Sequence, residues 1–242
     1  MKFKGAVFDL DGVISKTEKV HARAWKEMFD SFLNERSKTN GEDFIPFDKH
    51  SDYLNYVDGK PRLEGIRSFL QSREINLTKQ DDQNDLIDIE ELGGIKDDIF
   101  KKILHEEGVD LYETTIDLIH DLHKRGIKLF VASSSKNCRR VLKSSDLMNY
   151  FLNIFDGTDL DRKQIPGKPH PGLFLNAIEG SYLQVSDCVV FEDSVAGVKS
   201  AKGGGFFTIG VDRSNNTESL INAGADIVVT DLVEIDSNSI FL

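Results

Sequence analysis

Apolar residues along this chain keep two different rhythms. Near the start, Ala6-Val7-Phe8 is a short unbroken apolar run with Gly12 close behind it. A run of this kind ahead of a turn former predicts a buried parallel strand ending in a loop. From Val20 the rhythm changes. Val20, Ala24, Trp25, Met28, Phe29 and Phe32 recur at intervals of three and four, the stripe of an amphipathic helix. Residues 34–48 are polar and interrupted by Gly41 and Pro46, and are expected to be a loop or a helix break. Tyr53 to Val57 leads into the turn sequence Asp58-Gly59-Lys60-Pro61-Arg62, after which Leu63, Ile66, Phe69 and Leu70 form another helical face. Residues 76–91 are rich in Asp, Asn and Gln and are expected to be a long exposed loop with a helical turn, since charge runs are usually solvated faces. Ile99, Ile103 and Leu104 suggest one more helix.

From Val109 strand and helix alternate, the signature of a parallel α/β sheet. A helix carries Ile116, Leu118, Ile119 and Leu122 and stops at Gly126. The strand Ile127–Ala132 runs into Ser133-Ser134-Ser135, and a helix with Val141, Leu142 and Leu147 precedes a short strand at Ile154-Phe155. Gly167-Lys168-Pro169-His170-Pro171-Gly172 opens the helix of Leu173–Ile178. Cys188–Phe191 is a strand that stops at Glu192-Asp193-Ser194, and the next helix closes on Gly203-Gly204-Gly205. Phe206–Val211 and Ile227–Thr230 supply the last strands. The expected fold class is therefore α/β: residues 1–15 and 106–242 form a doubly wound parallel sheet domain, and 16–105 form an inserted helical domain over its reactive edge.

Composition narrows the partners. The chain has 242 residues, 39% hydrophobic and 29% charged, in the range of soluble globular proteins with a sizeable core. A formal net charge of −11 argues against a nucleic-acid backbone or an anionic membrane as a partner. Cys138 and Cys188 make no CxxC pair and suggest no disulfide framework. No apolar signal region or membrane-length run is present, so a cytoplasmic or other reducing setting is expected.

Three strand ends carry polar residues for which a core has no use: Asp9 with Asp11, Ser133 with its neighbours, and Glu192 with Asp193. Ligands of open α/β sheets bind beyond the carboxyl ends of the strands, and side chains two residues apart in extended backbone point the same way. Each feature has an ordinary explanation when taken alone. Asp-Gly is a turn, Ser133–Ser135 is a helix N-cap, Lys168 is a surface lysine, His21 is a satisfied helix residue and Arg62 is a turn cation. Taken together they describe a reactive site. Four converging carboxylates need a hard cation, and oxygen ligands suit Mg²⁺ better than Zn²⁺. Lys168 and a serine hydroxyl would hold a phosphoryl group. Asp9 as nucleophile would form an aspartyl-phosphate, while Asp11 would pass a proton to the leaving oxygen and later take one from an acceptor hydroxyl. His120 and His123, one helical turn apart near Asp117 and Asp121, read as a solvated helix face before a second metal site.

Asp9-Leu10-Asp11-Gly12, the strand ending at Ser133, Gly167-Lys168-Pro169 and Phe191-Glu192-Asp193-Ser194 resemble the four motifs of the haloacid dehalogenase superfamily, in order and along essentially the whole chain. The resemblance implies a Rossmann-like core with a cap domain, Mg²⁺, Asp9 as the phosphorylated nucleophile and Asp11 as acid and base. It implies metal ligation by Asp9, the Asp11 carbonyl and Asp193, with Glu192 in or near that shell. A closer resemblance is to the β-phosphoglucomutase subfamily. Thr17, His21 and Trp25 resemble its entry into the cap, where Thr17 would act near the hinge and His21 would couple closure to Asp11. The stretch from Asp58 through Gly59 to Arg62 looks like its substrate-reading loop, with Arg62 for the non-reacting phosphate. Ser133-Ser134-Ser135-Lys136-Asn137 is similar to its phosphate-binding segment. There Ser133 would serve the transferring phosphate, and Ser135, Lys136 and Asn137 the distal one.

The sequence departs from that subfamily in three places. Lys16 replaces an acid before Thr17, Gly172 replaces an acid after Pro171, and 77–96 is acidic where the cap is typically basic. Lys96, in Gly93-Gly94-Ile95-Lys96, is the best match there to a substrate-contacting residue. The expected activity is Mg²⁺-dependent phosphoryl transfer on a small phosphorylated sugar, converting β-glucose 1-phosphate to glucose 6-phosphate. A sugar-phosphate phosphatase on the same scaffold is the alternative, and a non-catalytic phosphosugar-binding module is the third reading. Nothing in the sequence fixes the oligomeric state, and a monomer is compatible with it.

Overall fold

The computed structural model describes residues 2–75 and 88–242. In chain order, β1 (Gly5–Phe8) leads to helix α1 (Glu18–Asn40), a single π-helical turn at Tyr53–Val57, α2 (Arg62–Ser72) and α3 (Ile89–Glu107). Then follow α4 (Glu113–Lys124), β2 (Lys128–Ala132), α5 (Cys138–Ser144), β3 (Asn153–Phe155), α6 (Gly157–Lys163) and α7 (Gly172–Ala177). The chain finishes with β4 (Cys188–Glu192), α8 (Val195–Gly203), β5 (Phe207–Val211), α9 (Thr217–Asn222), β6 (Ile227–Val229) and a short closing turn at Ser237–Ile240. It divides into two compact units, one of residues 1–16 and 109–242, the other of 17–108.

The first unit is an α/β fold with one six-stranded parallel sheet in the order β3-β2-β1-β4-β5-β6. This is the doubly wound order, with the switch in direction between β1 and β4, where a ligand crevice opens. Every residue of β1 is buried, and Phe8 stacks on Phe191 of β4 with ring centroids 4.8 Å apart. Such a side chain contributes roughly 2–3 kcal/mol by leaving water. Phe8 is level with Val131 on β2 and Phe191 on β4, so Asp9 emerges level with Ala132 and Glu192. One face of the sheet is closed by Leu173, Phe174 and Ala177 of α7, packed with Val7, Phe130, Val190 and Phe206. That packing carries the loop before α7 to the strand ends.

The second unit is helical. Trp25, Phe29, Phe47 and Phe69 form its aromatic core, with Met28, Ile66 and Leu70 around them.

The structure corrects several expectations. α1 does not stop near Asn34 but runs to Asn40, since nothing in residues 35–40 breaks a helix and Gly41, at φ 69°, ends it. α3 starts at Ile89, capped by Asp88, whose side chain accepts from the amides of Glu90 and Glu91. Gly93 and Gly94 thus lie inside a helix, and the rest of the expected exposed loop, residues 76–87, lies outside the described residues. α6 and α9 were not expected at all.

Candidate active site

Asp9 leaves β1 almost fully buried. Its Oδ1 accepts a hydrogen bond from Lys168 Nζ at 2.7 Å, and the same ammonium donates to Glu192 Oε2 at 2.9 Å. Lys168 is only 2% exposed and Glu192 0%. A buried ammonium between two carboxylates is stable only because both partners face it. Burial alone would lower the Lys168 pKa, but the charges of Asp9 and Glu192 and their hydrogen bonds outweigh it and hold the lysine protonated. Burial, followed by the charge of Glu192, raises Asp9 well above the usual carboxylate range.

Glu192 is fixed on its other side. Its Oε1 accepts from the Ser194 hydroxyl at 2.6 Å and the Ser194 amide at 3.2 Å, while Ser194 Oγ caps α8 by accepting from the Gly197 amide. A Cβ at Gly197 would lie 1.9 Å from Glu192 Oε1, so only glycine fits. Asp193 follows, half-buried, and rests against Gly12, where a Cβ would lie 1.8 Å from Asp193 Oδ2. Gly12 also needs its φ of 85° to turn the chain beyond Asp11. Sequence reasoning missed Ser194 as an orienting group and both glycine contacts. The signal for the first was a serine heading a helix directly after two acids.

Carboxylate oxygens of Asp9, Glu192 and Asp193 all lie within 4.8 Å of one another. With no His or Cys among them, this donor set fits a hard, oxygen-preferring cation such as Mg²⁺. His120 and His123 do not form such a group among the described residues. Their rings lie 4.9 and 5.1 Å from that of Tyr150, beside a surface pocket of about 490 Å³ that also includes Lys124, Asp146 and Asn149.

Beyond β2, Ser133 is buried and its Oγ accepts from the Ser135 amide at 3.1 Å; Ser135 Oγ in turn accepts from the Asn137 amide at 3.2 Å. The Ser134 carbonyl lies against Gly157, where a Cβ would come within 2.3 Å of it, and the Gly157 amide donates to the Ser135 carbonyl. The serine segment therefore rests on the start of α6. Asn137 is buried at the head of α5, while Lys136 is exposed and paired with Asp161. Asp11 is half-buried, and its backbone bridges to Ser15.

In the helical unit, His21, Trp25 and Lys96 come together. Lys96 is only 4% exposed; its Nζ lies 2.7 Å from His21 Nδ1, 4.9 Å from the Trp25 ring centroid and 4.8 Å from that of Phe100. Thr17 is buried, and its carbonyl accepts from the His21 amide. Gly59 takes φ 67° in the turn before α2. Arg62 opens that helix, and its guanidinium donates to the Gly93 carbonyl at 2.8 Å and to Asp97 at 2.9 Å.

The sequence model of the haloacid dehalogenase-like hydrolases matches residues 3–205. A β-phosphoglucomutase of Mycobacterium bovis is 38% identical over 240 residues, covering 97% of this chain and 92% of its own. A β-phosphoglucomutase of Bacillus subtilis is 30% identical, covering 93% and 88%. The crystal structure of a β-phosphoglucomutase from Clostridium difficile superposes with a TM-score of 0.76 at 22% identity, over 98% of this chain and 95% of that one. At that identity the likeness speaks for the fold.

Proposed function

The chain belongs to the haloacid dehalogenase superfamily and its β-phosphoglucomutase-like branch, and from that membership we propose that it is a Mg²⁺-dependent phosphoryl-transfer enzyme of sugar phosphates, acting as a β-phosphoglucomutase. The observation that carries this reading is the buried Lys168 ammonium between Asp9 and Glu192 at 2.7 and 2.9 Å, beside the Asp193 carboxylate. A structural salt bridge needs one acid. Here three converge at the switch point of the sheet, an arrangement costly for folding and suited to holding a cation and a phosphoryl group.

Asp9, Glu192 and Asp193, with the Asp11 carbonyl, would hold Mg²⁺, which supplies positive charge against the carboxylates and the phosphoryl oxygens. Lys168 favours the anionic form of Asp9 that attack requires, against the burial and the Glu192 charge that raise its pKa, and the cation held there would favour it further. An Asp9 oxygen attacks phosphorus, the bond from phosphorus to the sugar oxygen breaks, and Asp11 gives that oxygen its proton. In the return step Asp11 takes a proton from the accepting sugar hydroxyl, whose oxygen attacks the phosphoryl group as its bond to the Asp9 oxygen breaks and the carboxylate is freed. Ser133 and its neighbours bind phosphoryl oxygens, and Arg62, His21 and Lys96 read the rest of the substrate. Repetition through a sugar bisphosphate moves phosphate between the C1 and C6 oxygens of glucose.

Water in place of the sugar hydroxyl makes the same site a phosphatase, and the hydrolase description of the family favours that second reading. The 38% identical β-phosphoglucomutase and the grouping of His21, Trp25 and Lys96 favour the mutase. Phosphorus NMR with β-glucose 1-phosphate, Mg²⁺ and a trace of the 1,6-bisphosphate separates them. Glucose 6-phosphate supports the mutase, inorganic phosphate the phosphatase, and no turnover across a broad panel of sugar phosphates a binding module.

A further inference from the structure

Arg213 stands two residues past β5 and beyond residues 3–205 that the family's sequence model matches. Its side chain is only 10% exposed. Nε donates to the Gly12 carbonyl at 2.9 Å, Nη1 donates to the Thr230 carbonyl at 3.0 Å and lies 3.5 Å from Asp231, and the guanidinium lies 3.6 Å from the centroid of the Tyr112 ring. Lys16 Nζ stands 5.3 Å from the same ring centroid. The loop that presents Arg213 is itself organised. The Asp212 carboxylate accepts from the amides of Ser214, Asn216 and Thr217 and from the Thr217 hydroxyl. Asn216 Nδ2 reaches the Asp193 carbonyl at 3.4 Å.

The neighbours of these contacts matter most. Asp11 bridges to Ser15, and Ser15 bridges to Leu111, so Gly12 and Tyr112, two of the residues that Arg213 grips, each adjoin a member of this backbone ladder. Thr115 Oγ1 donates to the Val13 carbonyl and the Tyr112 amide to the Ile14 carbonyl, which ties the same two stretches together. Asp9, by contrast, is placed by β1 and by Lys168.

We propose that Arg213 is a positioning residue that fixes the turn carrying Asp11, through the Gly12 carbonyl and the face of Tyr112, and so sets the proton transfer, while Asp9 itself is placed by β1 and Lys168. The proposal rests on the reading of Asp11 as the proton carrier. A guanidinium suits this task because it is flat enough to lie on a ring while its edge donates in several directions.

Leaving-group chemistry tests it. A sugar oxygen must be protonated as it departs, whereas 4-nitrophenolate leaves as an anion and needs no acid. With Arg213→Met, kcat on β-glucose 1-phosphate should fall by about a hundredfold, as for a group displaced by an ångström, with KM unchanged, while the single-turnover burst of 4-nitrophenolate from 4-nitrophenyl phosphate, which precedes the step where Asp11 acts as base, stays within about threefold in rate. Arg213→Lys should show the same split to a smaller degree, and serves if the Met variant does not fold. Guanidinium ion should partly restore sugar-phosphate turnover to Arg213→Ala, and ammonium should not. Equal losses on both substrates, or no loss on either, would overturn the proposal. Asp11→Asn is the control. If it lacks the split, the reading of Asp11 fails and the proposal with it; if it shows the split and the Arg213 variants do not, only the proposal fails.

Discussion

Gly12 and Lys168 show how tightly single residues are constrained at the strand ends. Gly12 must take φ 85°, and the space where its Cβ would be is filled by the Asp193 carboxylate. Gly12→Ala should therefore push Asp193 out of the three-carboxylate group. We expect a folded protein whose turnover is down by about a hundredfold and whose thermal midpoint no longer rises with Mg²⁺. An unchanged Mg²⁺ response in calorimetry would contradict this. Lys168→Met leaves two buried carboxylates without their shared counter-charge, at a cost of about 3–5 kcal/mol. The sign with pH follows from Asp9, which burial and then Glu192 raise above its unfolded value. The folded state then binds the Asp9 proton more tightly than the unfolded chain does. Stability falls as pH climbs out of the ordinary carboxylate range through the raised value. Removing Lys168 takes away a lowering influence, so the gap between variant and wild type should widen from acid to neutral pH in urea melts. A gap that narrows over that range would contradict the placement of Lys168.

At the scale of elements, hydrophobic periodicity tells where a core is touched, and not where a helix ends. α1 keeps its apolar contacts to Leu33 and then continues for nearly two more turns of polar residues, until Gly41. No atom lies within 4 Å of the position a Gly41 Cβ would take, so Gly41→Ala tests backbone conformation by itself. It should cost about 1 kcal/mol in denaturant melts and leave activity untouched. A loss of activity there would mean the end of α1 does more than stop a helix. α6 was illegible because its start is set by Asp156, whose side chain accepts from the amides of Thr158 and Asp159, and Leu160 is its one large buried apolar residue. α9 likewise buries only Leu220. The strands were legible since both faces of each central one are covered, which writes an unbroken apolar run. Polar residues straight after such runs were the legible part of the candidate site. Arg213 was not, because its partner is a backbone carbonyl 201 residues earlier in the chain, and a carbonyl leaves no mark in sequence.

For the whole molecule, a net charge of −11 surrounds the proposed phosphoryl site, where the Lys168 ammonium and, in the proposed reading, a bound cation would supply the local positive charge. Among the described residues no helix is long and apolar enough to cross a membrane. Asp9, Asp11 and the serine segment lie in one unit, and His21, Arg62 and Lys96 in the other. The chemistry common to mutase and phosphatase is the covalent phosphoryl group on Asp9, and rapid-quench labelling observes it directly. Wild-type protein mixed with Mg²⁺ and β-glucose 1-phosphate labelled in its phosphate, then stopped within a single turnover, should carry label on the peptide that contains Asp9. Asp9→Asn, equally folded, should carry none and turn over nothing. Product formed without labelled protein, or label on any other residue, would contradict the account.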